Sequence, residues 1–211
     1  MDEAQEDRIW SKFCEDFAFR ASVRREDWPS IREPVHSITW DISATLMLYE
    51  SNQAAFEDSE RTFKNILWEG LRATVTPGRV VYAMSWHHRS YMADPRKTSA
   101  TETAGQWRIL VLPVGNYKIL ISEDFTHGVF CHPWEQSMCV FGRPLLDFLQ
   151  RTVGDPGPVL RRCTEAGVKV ERGPTPIPPP HMCPACGADL QPWAEGMRQQ
   201  TCPLCGDLVT R

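Results

Sequence analysis

The sequence lacks the features that mark several large classes of protein. No stretch approaches the roughly 18 consecutive apolar residues that indicate a membrane span. The start, MDEAQEDRIW, is acidic where a secretory signal requires a basic flank and an apolar run. A formal net charge of −4 argues against a broadly basic surface for nucleic acid. We therefore expect a cytoplasmic protein whose thiols stay reduced.

Common catalytic motifs are also missing from the sequence. It contains no glycine loop of the phosphate-binding type, no GxSxG turn and no HExxH helix. It does contain eight tryptophans and eight cysteines. Large indole rings need either a packed core or a recognition surface, so both remain open. Four of the cysteines are scattered, and the other four form two CxxC pairs near the end.

The hydrophobic pattern predicts an α+β domain over residues 1–152. Helical spacing covers 7–17, 52–71 and 144–152, and strand-like runs cover 36–43, 79–88, 90–94, 107–112, 117–122, 128–131 and 135–142. The connections between these runs are short, which favours an antiparallel meander sheet with helices packed on one face. In 135–142, apolar residues fall on both sides of the strand, so both faces of the sheet should be covered.

A change of composition after 152 predicts a domain boundary. Glycine and proline break the chain at 154–158, and RGPTPIPPPH (172–181) carries five prolines in ten residues. Such a segment favours an extended polyproline conformation. The sequence therefore predicts a proline-rich linker over 153–181 and a separate module over 182–211.

The strongest single motif lies in that last module. CPACG and CPLCG place Cys183, Cys186, Cys202 and Cys205 in the pattern C-x2-C-x15-C-x2-C, with a glycine after each pair. Four thiolates complete a closed tetrahedral site, so one structural zinc ion is expected in a zinc ribbon. His181 is assigned to the linker. A redox-active CxxC is the alternative interpretation, and the matched pairs argue against it.

The stretch HGVFCHPWEQSMCVFG (127–142) concentrates most of the remaining reactive side chains. The strand pattern makes Cys131 and Cys139 small buried hydrophobic residues. His132 and Glu135 lie at a bend marked by Pro133, and His88 ends an earlier strand. If these strands align, His88, His132 and Glu135 could form an acid–base or metal site. The alternative is that Glu135 accepts hydrogen bonds that pin the bend. Asp124 and His127 have the same ambiguity, with turn chemistry favoured.

Several of these motifs, taken in order, resemble a known family. W-x-x-F (10–13), WPSIREPVHSITWDIS, WHHRSY (86–91), ISEDF (121–125) and HPWEQSMCVFG (132–142) are similar to the bacterial domain-of-unknown-function family 2716 over roughly residues 7–150. The resemblance implies matching roles for Trp86 and His88, and for the HPWE motif. The family's PDGDYY hairpin is PVGNYK here, so Val114 and Asn116 replace two acids. Any role of those acids is not expected in this chain.

Three functions are compatible with the sequence. The first is a protein-interaction module, of antitoxin, immunity or adaptor type, with Trp86, Trp134 and Asp124 as candidate surface or pocket residues; this assignment rests on analogy. The second is an enzyme that uses His88, His132 and Glu135, with or without a metal. The third is nucleic-acid contact through the zinc ribbon, against which the acidic balance counts. The oligomeric state is left open.

Overall fold

The computed structural model describes residues 1–86, 88–97, 111–173, 199–204 and 208–210, together with the single positions 183, 190 and 206. Within these ranges the chain is α+β, with an eight-stranded antiparallel sheet and a separate two-stranded sheet near the end. This architecture confirms the predicted fold class. No helix among the described residues is long and apolar enough to cross a membrane.

The regular elements follow the hydrophobic pattern closely. The helices are α1 (Glu3–Phe17), α2 (Ser43–Leu46), α3 (Leu48–Ser51), α4 (Gln53–Thr74) and α5 (Arg143–Thr152). The strands are β1 (Ser37–Asp41), β2 (Val81–Ser85), β3 (His88–Ala93), β4 (Lys118–Ser122), β5 (Gly128–His132), β6 (Ser137–Phe141), β7 (Val159–Thr164), β8 (Gly167–Val170), β9 (Gln199–Thr201) and β10 (Leu208–Thr210).

The predicted strand at 107–112 falls mostly outside the described residues. The amides of its last two residues, Val111 and Leu112, donate to the Glu60 carboxylate at 2.6 and 2.8 Å.

Polar caps set the starts of the two longest helices. The Asp2 carboxylate accepts the Gln5 amide at 2.8 Å ahead of α1, and the Asn52 side chain accepts the Ala55 amide at 3.1 Å ahead of α4. Each cap satisfies an amide that has no partner within the helix. Helix α5 begins instead with a proline in its first turn, where the missing N–H costs nothing.

The large sheet has the strand order β3-β2-β4-β5-β6-β1-β7-β8. Strands β2, β4, β5 and β6 connect largely as the predicted meander. Strand β1, which comes earlier in the chain, lies between β6 and β7. Residues from near positions 40, 140 and 160 are therefore neighbours in the sheet.

Side chains alternate between two buried layers, one on each face of this sheet. On the α4 face, Trp40, Met138 and Val140 pack beneath α4 and α5. On the opposite, α1 face, Phe130 and Phe141 pack with apolar side chains of α1. Helices α4 and α5 lie on one face as expected, and α1 adds a helical layer to the other. Both faces of the sheet are covered, as the two-sided apolar pattern of 135–142 predicted.

The domain boundary predicted at 152 needs correction. Strands β7 and β8 lie inside the segment assigned to the linker, yet β7 pairs with β1 and continues the main sheet. Gly157 packs so closely against the Asp41 carbonyl that an added Cβ would overlap it. Glycine at this position allows a close backbone approach rather than a flexible tether. The folded unit thus extends to at least Val170.

The described part of the C-terminal module is a small hairpin with its own core. Strands β9 and β10 pair antiparallel, and Cys183, Leu190, Cys202 and Val209 are buried together. Cys186 and Cys205, the other two predicted zinc ligands, lie outside the described residues, as do His181 and most of the proline-rich segment.

Candidate functional site

His132 ends strand β5 and is fully buried at the turn before β6. Its Nδ1 accepts the backbone amides of Trp134 and Glu135 at 3.2 and 2.9 Å. These bonds close the four-residue turn, which Pro133 starts and Gln136 ends with a φ of 53°. The bend is therefore pinned by the histidine ring. The sequence-based alternative had assigned that role to Glu135.

A directed chain of hydrogen bonds starts at the other ring nitrogen. Because Nδ1 accepts two amides, the proton of the neutral ring lies on Nε2, which donates to Ser30 Oγ at 3.0 Å. The Ser30 hydroxyl then donates to the Tyr117 hydroxyl at 3.0 Å, which in turn donates to the Ser22 carbonyl at 3.0 Å. The Ser22 amide donates back to Tyr117 at 3.0 Å. Every polar side-chain atom in this series of hydrogen bonds has a partner, and the series ends on the backbone of Ser22.

The same hydrogen bonds decide what His132 can do chemically. Burial, and next the nearby charge of Arg161, lower the pKa of His132 to about 3, so the ring is neutral near pH 7. A base that activates a serine must accept the hydroxyl proton on a free ring nitrogen. Here the nitrogen facing Ser30 carries the proton, and the other accepts two amides. The Ser30–His132 pair is consequently a structural contact.

Glu135 belongs to a separate, charged cluster on the other side of the turn. Its two carboxylate oxygens accept Nη1 and Nη2 of Arg161 at 2.6 and 2.7 Å, and one also accepts Ser137 Oγ at 2.7 Å. Arg161 also donates Nε to the Glu33 carboxylate at 3.0 Å, and Thr39 Oγ1 donates to Glu33 at 2.6 Å. The carboxylates of Glu33 and Glu135 therefore share one buried guanidinium.

Arg161 was missed because it lies within the predicted linker. One signal could have revealed it: VLRRCT and GVKV are strand-like runs, and Glu165-Ala166 between them form a two-residue turn. Glu33 and Ser30 come from the irregular segment between α1 and β1, where hydrophobic periodicity carries no information. Their roles depend on contacts that are distant in sequence.

The structure does not bring His88 to His132 and Glu135. His88 lies exposed on the edge strand β3, and strands β2 and β4 separate β3 from β5. Neighbouring strands are about 4.8 Å apart, so three spacings place the backbones roughly 14 Å apart. Across the described residues, no group of three or more His, Cys, Asp or Glu side chains could hold a metal ion. The three residues thus do not form the proposed triad.

Asp124 and His127 organise the turn between β4 and β5. The Asp124 carboxylate accepts Ser122 Oγ at 2.6 Å and Thr126 Oγ1 at 2.8 Å. These hydroxyl bonds hold the pKa of Asp124 below its usual value although burial opposes them. Such side-chain bonds within a turn are typical of Asp. Asp124 therefore acts in turn geometry and not in a pocket.

Three half-buried tryptophans pack against the buried His132 and Tyr117. The rings of Trp86 and Trp134 lie 5.7 and 5.2 Å from the Tyr117 ring and 6.5 Å from each other. The Trp28 ring lies 5.3 Å from His132, and the Arg25 guanidinium lies 5.7 Å from Trp28. We call Trp28, Trp86 and Trp134 the tryptophan face. Two of its members, Trp86 and Trp134, were predicted surface candidates; Trp28 was not.

A polar cleft of about 530 Å³ is lined by the same irregular segment that carries Ser30. Its lining includes Arg20, Ser22, Asp27 and Arg32. The Ser22 hydroxyl donates to Asp27 at 2.7 Å, and Arg32 donates to the Asp16 carbonyl at 3.0 Å. These bonds fold the segment over the end of the hydrogen-bonded chain and hold Ser30 in place.

Comparisons with known proteins extend the resemblance seen in the motifs. The family model described as "Protein of unknown function (DUF2716)" matches residues 1–146. The chain is also similar to "Uncharacterized protein YxiI" of Bacillus subtilis (strain 168), with 27% identity over 165 residues, which are 77% of this chain and 95% of that protein. No solved structure matches the chain. The family match includes Glu33, His132 and Glu135, whereas Arg161 lies beyond it.

Proposed function

We propose that this chain, which belongs to the DUF2716 family of proteins of unknown function, is a protein-interaction module that docks a partner on its tryptophan face and carries a zinc-bound C-terminal ribbon. The observation that carries the proposal is that three half-buried tryptophans, Trp28, Trp86 and Trp134, all pack against one buried pair, His132 and Tyr117. All three are half-buried, whereas the rings beneath them are fully buried.

The physical case for docking rests on rigidity and desolvation. Tyr117 and His132 are held by hydrogen bonds on all sides, so they form a fixed base for the three indoles. Tryptophans that are already ordered lose little conformational entropy on binding, and tryptophan is enriched among residues that dominate interface energy. A partner segment that offers an apolar side chain fits this surface.

The partner is best identified by crosslinking from the proposed face. A photo-crosslinking amino acid at Trp134, expressed in the native host, should capture a protein that the same group at Val35 does not. Val35 is exposed, at 49%, and lies outside the tryptophan face. The captured protein is then purified and its Kd for the unmodified chain is measured by calorimetry.

Substitutions decide whether the captured protein uses the face. Trp86→Ala and Trp134→Ala should each raise the Kd at least about tenfold, as expected for central tryptophans. Trp10→Ala is the matched control, because Trp10 is also half-buried but bonds Ser90 Oγ at 3.2 Å elsewhere on the α1 face. An unchanged Kd in both alanine variants, with circular dichroism showing an intact fold, would refute the proposed face.

The zinc part of the proposal is supported by the local geometry at Cys202. Its sulfur accepts the Leu204 amide at 3.4 Å, and its carbonyl accepts the Gly206 amide at 3.0 Å. Gly206 has a φ of 78°, which allows the chain to turn back at this point. Amide donors to sulfur stabilise a thiolate, the form that binds zinc. Cys183 is buried in the same small core, at 0% exposure.

Zinc binding would also supply the stability that so short a module lacks. Structural zinc sites contribute roughly 10–16 kcal/mol of binding free energy, which becomes folding free energy. Elemental analysis should find one zinc per chain, lost in Cys183→Ser and Cys202→Ser and retained in Cys14→Ser, since Cys14 is an exposed residue of α1. Isolation of the chain with paired disulfides and no metal would reject the zinc site.

The described ribbon surface favours protein over nucleic acid as its contact. Leu204 and Leu208 are exposed at 74% and 61%, and exposed apolar side chains gain more from a protein surface than from a phosphate backbone. Binding to the crosslinked partner should therefore weaken when Leu204 and Leu208 are changed to Ser. Salt-sensitive binding to DNA or RNA of random sequence would point to the other contact.

A further inference from the structure

A cavity of about 140 Å³ lies on the α4 face, between α4 and the end of α5. Its floor is formed by Trp40, Met138 and Leu149, which are each no more than 5% exposed. Its rim is formed by Phe63, Ile66 and Val153, which are partly exposed. The cavity is thus apolar and open to solvent on one side.

The two helices are in close contact beyond one end of the cavity. Near one end, Gly70 of α4 allows Leu145 of α5 to approach so closely that a Cβ added at Gly70 would lie 2.7 Å from its Cδ1 atom. About one and two turns further towards the start of α4, Ile66 and Phe63 line the cavity together with Leu149 and Val153. At the floor, Trp40 Nε1 donates to Asp155 Oδ1 at 3.0 Å, which prevents the indole from moving into the cavity.

Water in an apolar cavity gains no hydrogen bonds from the walls, so an apolar ligand that fits the space is favoured over water there. We propose that the cavity is a binding site for an uncharged apolar group of about six to eight non-hydrogen atoms, such as one aromatic ring or a short branched alkyl chain. An engineered apolar cavity of about 150 Å³ in another protein stays dry and binds benzene, which sets the size class. An anionic group is excluded, because no positive charge lines the cavity to compensate its desolvation.

This site is independent of the tryptophan face. Trp40 and Met138 belong to the core on the α4 face, whereas Trp86 and Trp134 pack on the α1 face. A small molecule in the cavity and a protein on the tryptophan face could therefore bind at the same time. Failure of either proposal would leave the other unaffected.

Toluene and benzoate form the direct test, on the full chain with its metal. Toluene should bind with a Kd on the order of 1 mM or tighter, as expected for so small a ligand. It should raise the Tm by about 2–4 °C at several times the Kd. Benzoate has the same ring with a carboxylate and should give neither effect. Ligand-observed NMR measures both affinities.

Two rim variants locate the binding. Val153→Phe and Ile66→Phe each place a ring at the mouth, and at least one should weaken toluene binding tenfold or more. Val35→Phe, which adds a ring on an exposed residue outside the cavity, should bind toluene as the natural chain does. The proposal is overturned if toluene does not bind, if benzoate binds equally well, or if neither rim variant weakens binding.

Discussion

His132 and Glu135 lie on the same turn and are both almost completely buried, at 0% and 1% exposure, yet they satisfy burial in different ways. The histidine loses its charge: its pKa falls to about 3, and its two nitrogens join neutral hydrogen bonds. The glutamate side chain instead pairs with both terminal nitrogens of Arg161. Burial of a charge is tolerable only with such compensation.

The hydrogen bonds of His132 and Glu135 leave neither side chain free to act as a catalytic acid or base. A catalytic acid or base needs a free lone pair or proton near a substrate. On the histidine side, the hydrogen-bonded chain ends at the Ser22 carbonyl, and on the glutamate side the donors of Arg161, Ser137 and Thr39 occupy the carboxylates. The region therefore supports the adjoining tryptophan face.

Mutation of Arg161, which pairs with Glu33 and Glu135, should reduce the unfolding free energy the most. Arg161→Met leaves Glu33 and Glu135 buried without a counter-charge, and we expect a loss of about 3–5 kcal/mol in unfolding free energy. Urea denaturation at pH 7 measures this loss. The Arg161 side chain is only 11% exposed, so water cannot readily replace its guanidinium. The two carboxylates that it pairs with also accept hydroxyls from β1 (Thr39) and β6 (Ser137).

Two further variants show whether the loss reflects charge or packing. Adding Glu33→Gln and Glu135→Gln to Arg161→Met removes both unpaired charges and should recover more than half of the lost stability. Arg161→Lys retains the charge but lacks the planar fork, so it should give an intermediate value. If the triple variant is no more stable than Arg161→Met alone, unpaired charge is not the cause.

Most elements could be predicted from the sequence because their signals are local. Helices α1, α4 and α5 and strands β1, β2, β4, β5 and β6 follow apolar spacing that depends only on neighbouring residues. The place of β1 between β6 and β7 could not be predicted this way, since strand pairing over long separations leaves no periodic trace. The proline and glycine residues at 154–158 mark a real turn, but they were interpreted as the start of a linker.

The candidate site was predicted only in part for the same reason. The spacing of HPWE predicted that His132 and Glu135 lie at one turn, and the apolar strand pattern predicted the burial of Cys131, on β5, and of Cys139, on β6. Which atoms those residues contact depends on Ser30, Glu33 and Arg161, which come from three distant segments. The tautomer of His132 and the charge state around Glu135 are properties of these contacts.

The contribution of His132 to the unfolding free energy should depend on pH. The unfolded chain binds a proton at His132 near pH 6.5, whereas the folded chain does so only near pH 3. Between these values the unfolded state binds more protons, so stability is complete above about pH 6.5 and is lost as the pH falls towards 3. This group alone should remove about 3 kcal/mol of unfolding free energy by pH 4.

Two histidine variants separate the contribution of His132 to stability from that of other groups that titrate in acid. His132→Asn retains an acceptor for the turn amides but cannot titrate, so its unfolding free energy should fall less steeply between pH 6.5 and 4 than that of the natural chain. His88→Asn changes an exposed histidine and should keep the natural slope. Parallel slopes for His132→Asn and the natural chain would show that His132 is not held neutral.

The smallest effect should come from the far end of the same chain of hydrogen bonds. Tyr117→Phe removes the hydroxyl that bonds Ser30 and both backbone groups of Ser22, and we expect a loss of about 1–2 kcal/mol of unfolding free energy by urea denaturation.

Burial raises the pKa of Tyr117 to about 12, above its unfolded value near 10, so its contribution to stability is present below pH 10 and lost as the pH rises towards 12. Tyr117→Phe should remove that alkaline loss, whereas Tyr49→Phe, at a tyrosine that is 43% exposed, should change neither quantity. Because His132 donates to Ser30, the Phe variant should also leave Ser30 without its acceptor while the turn amides stay bonded. A loss as large as that of Arg161→Met would mean that the hydrogen bonds of His132, Ser30 and Tyr117, and not the ion pairs of Arg161, hold the turn.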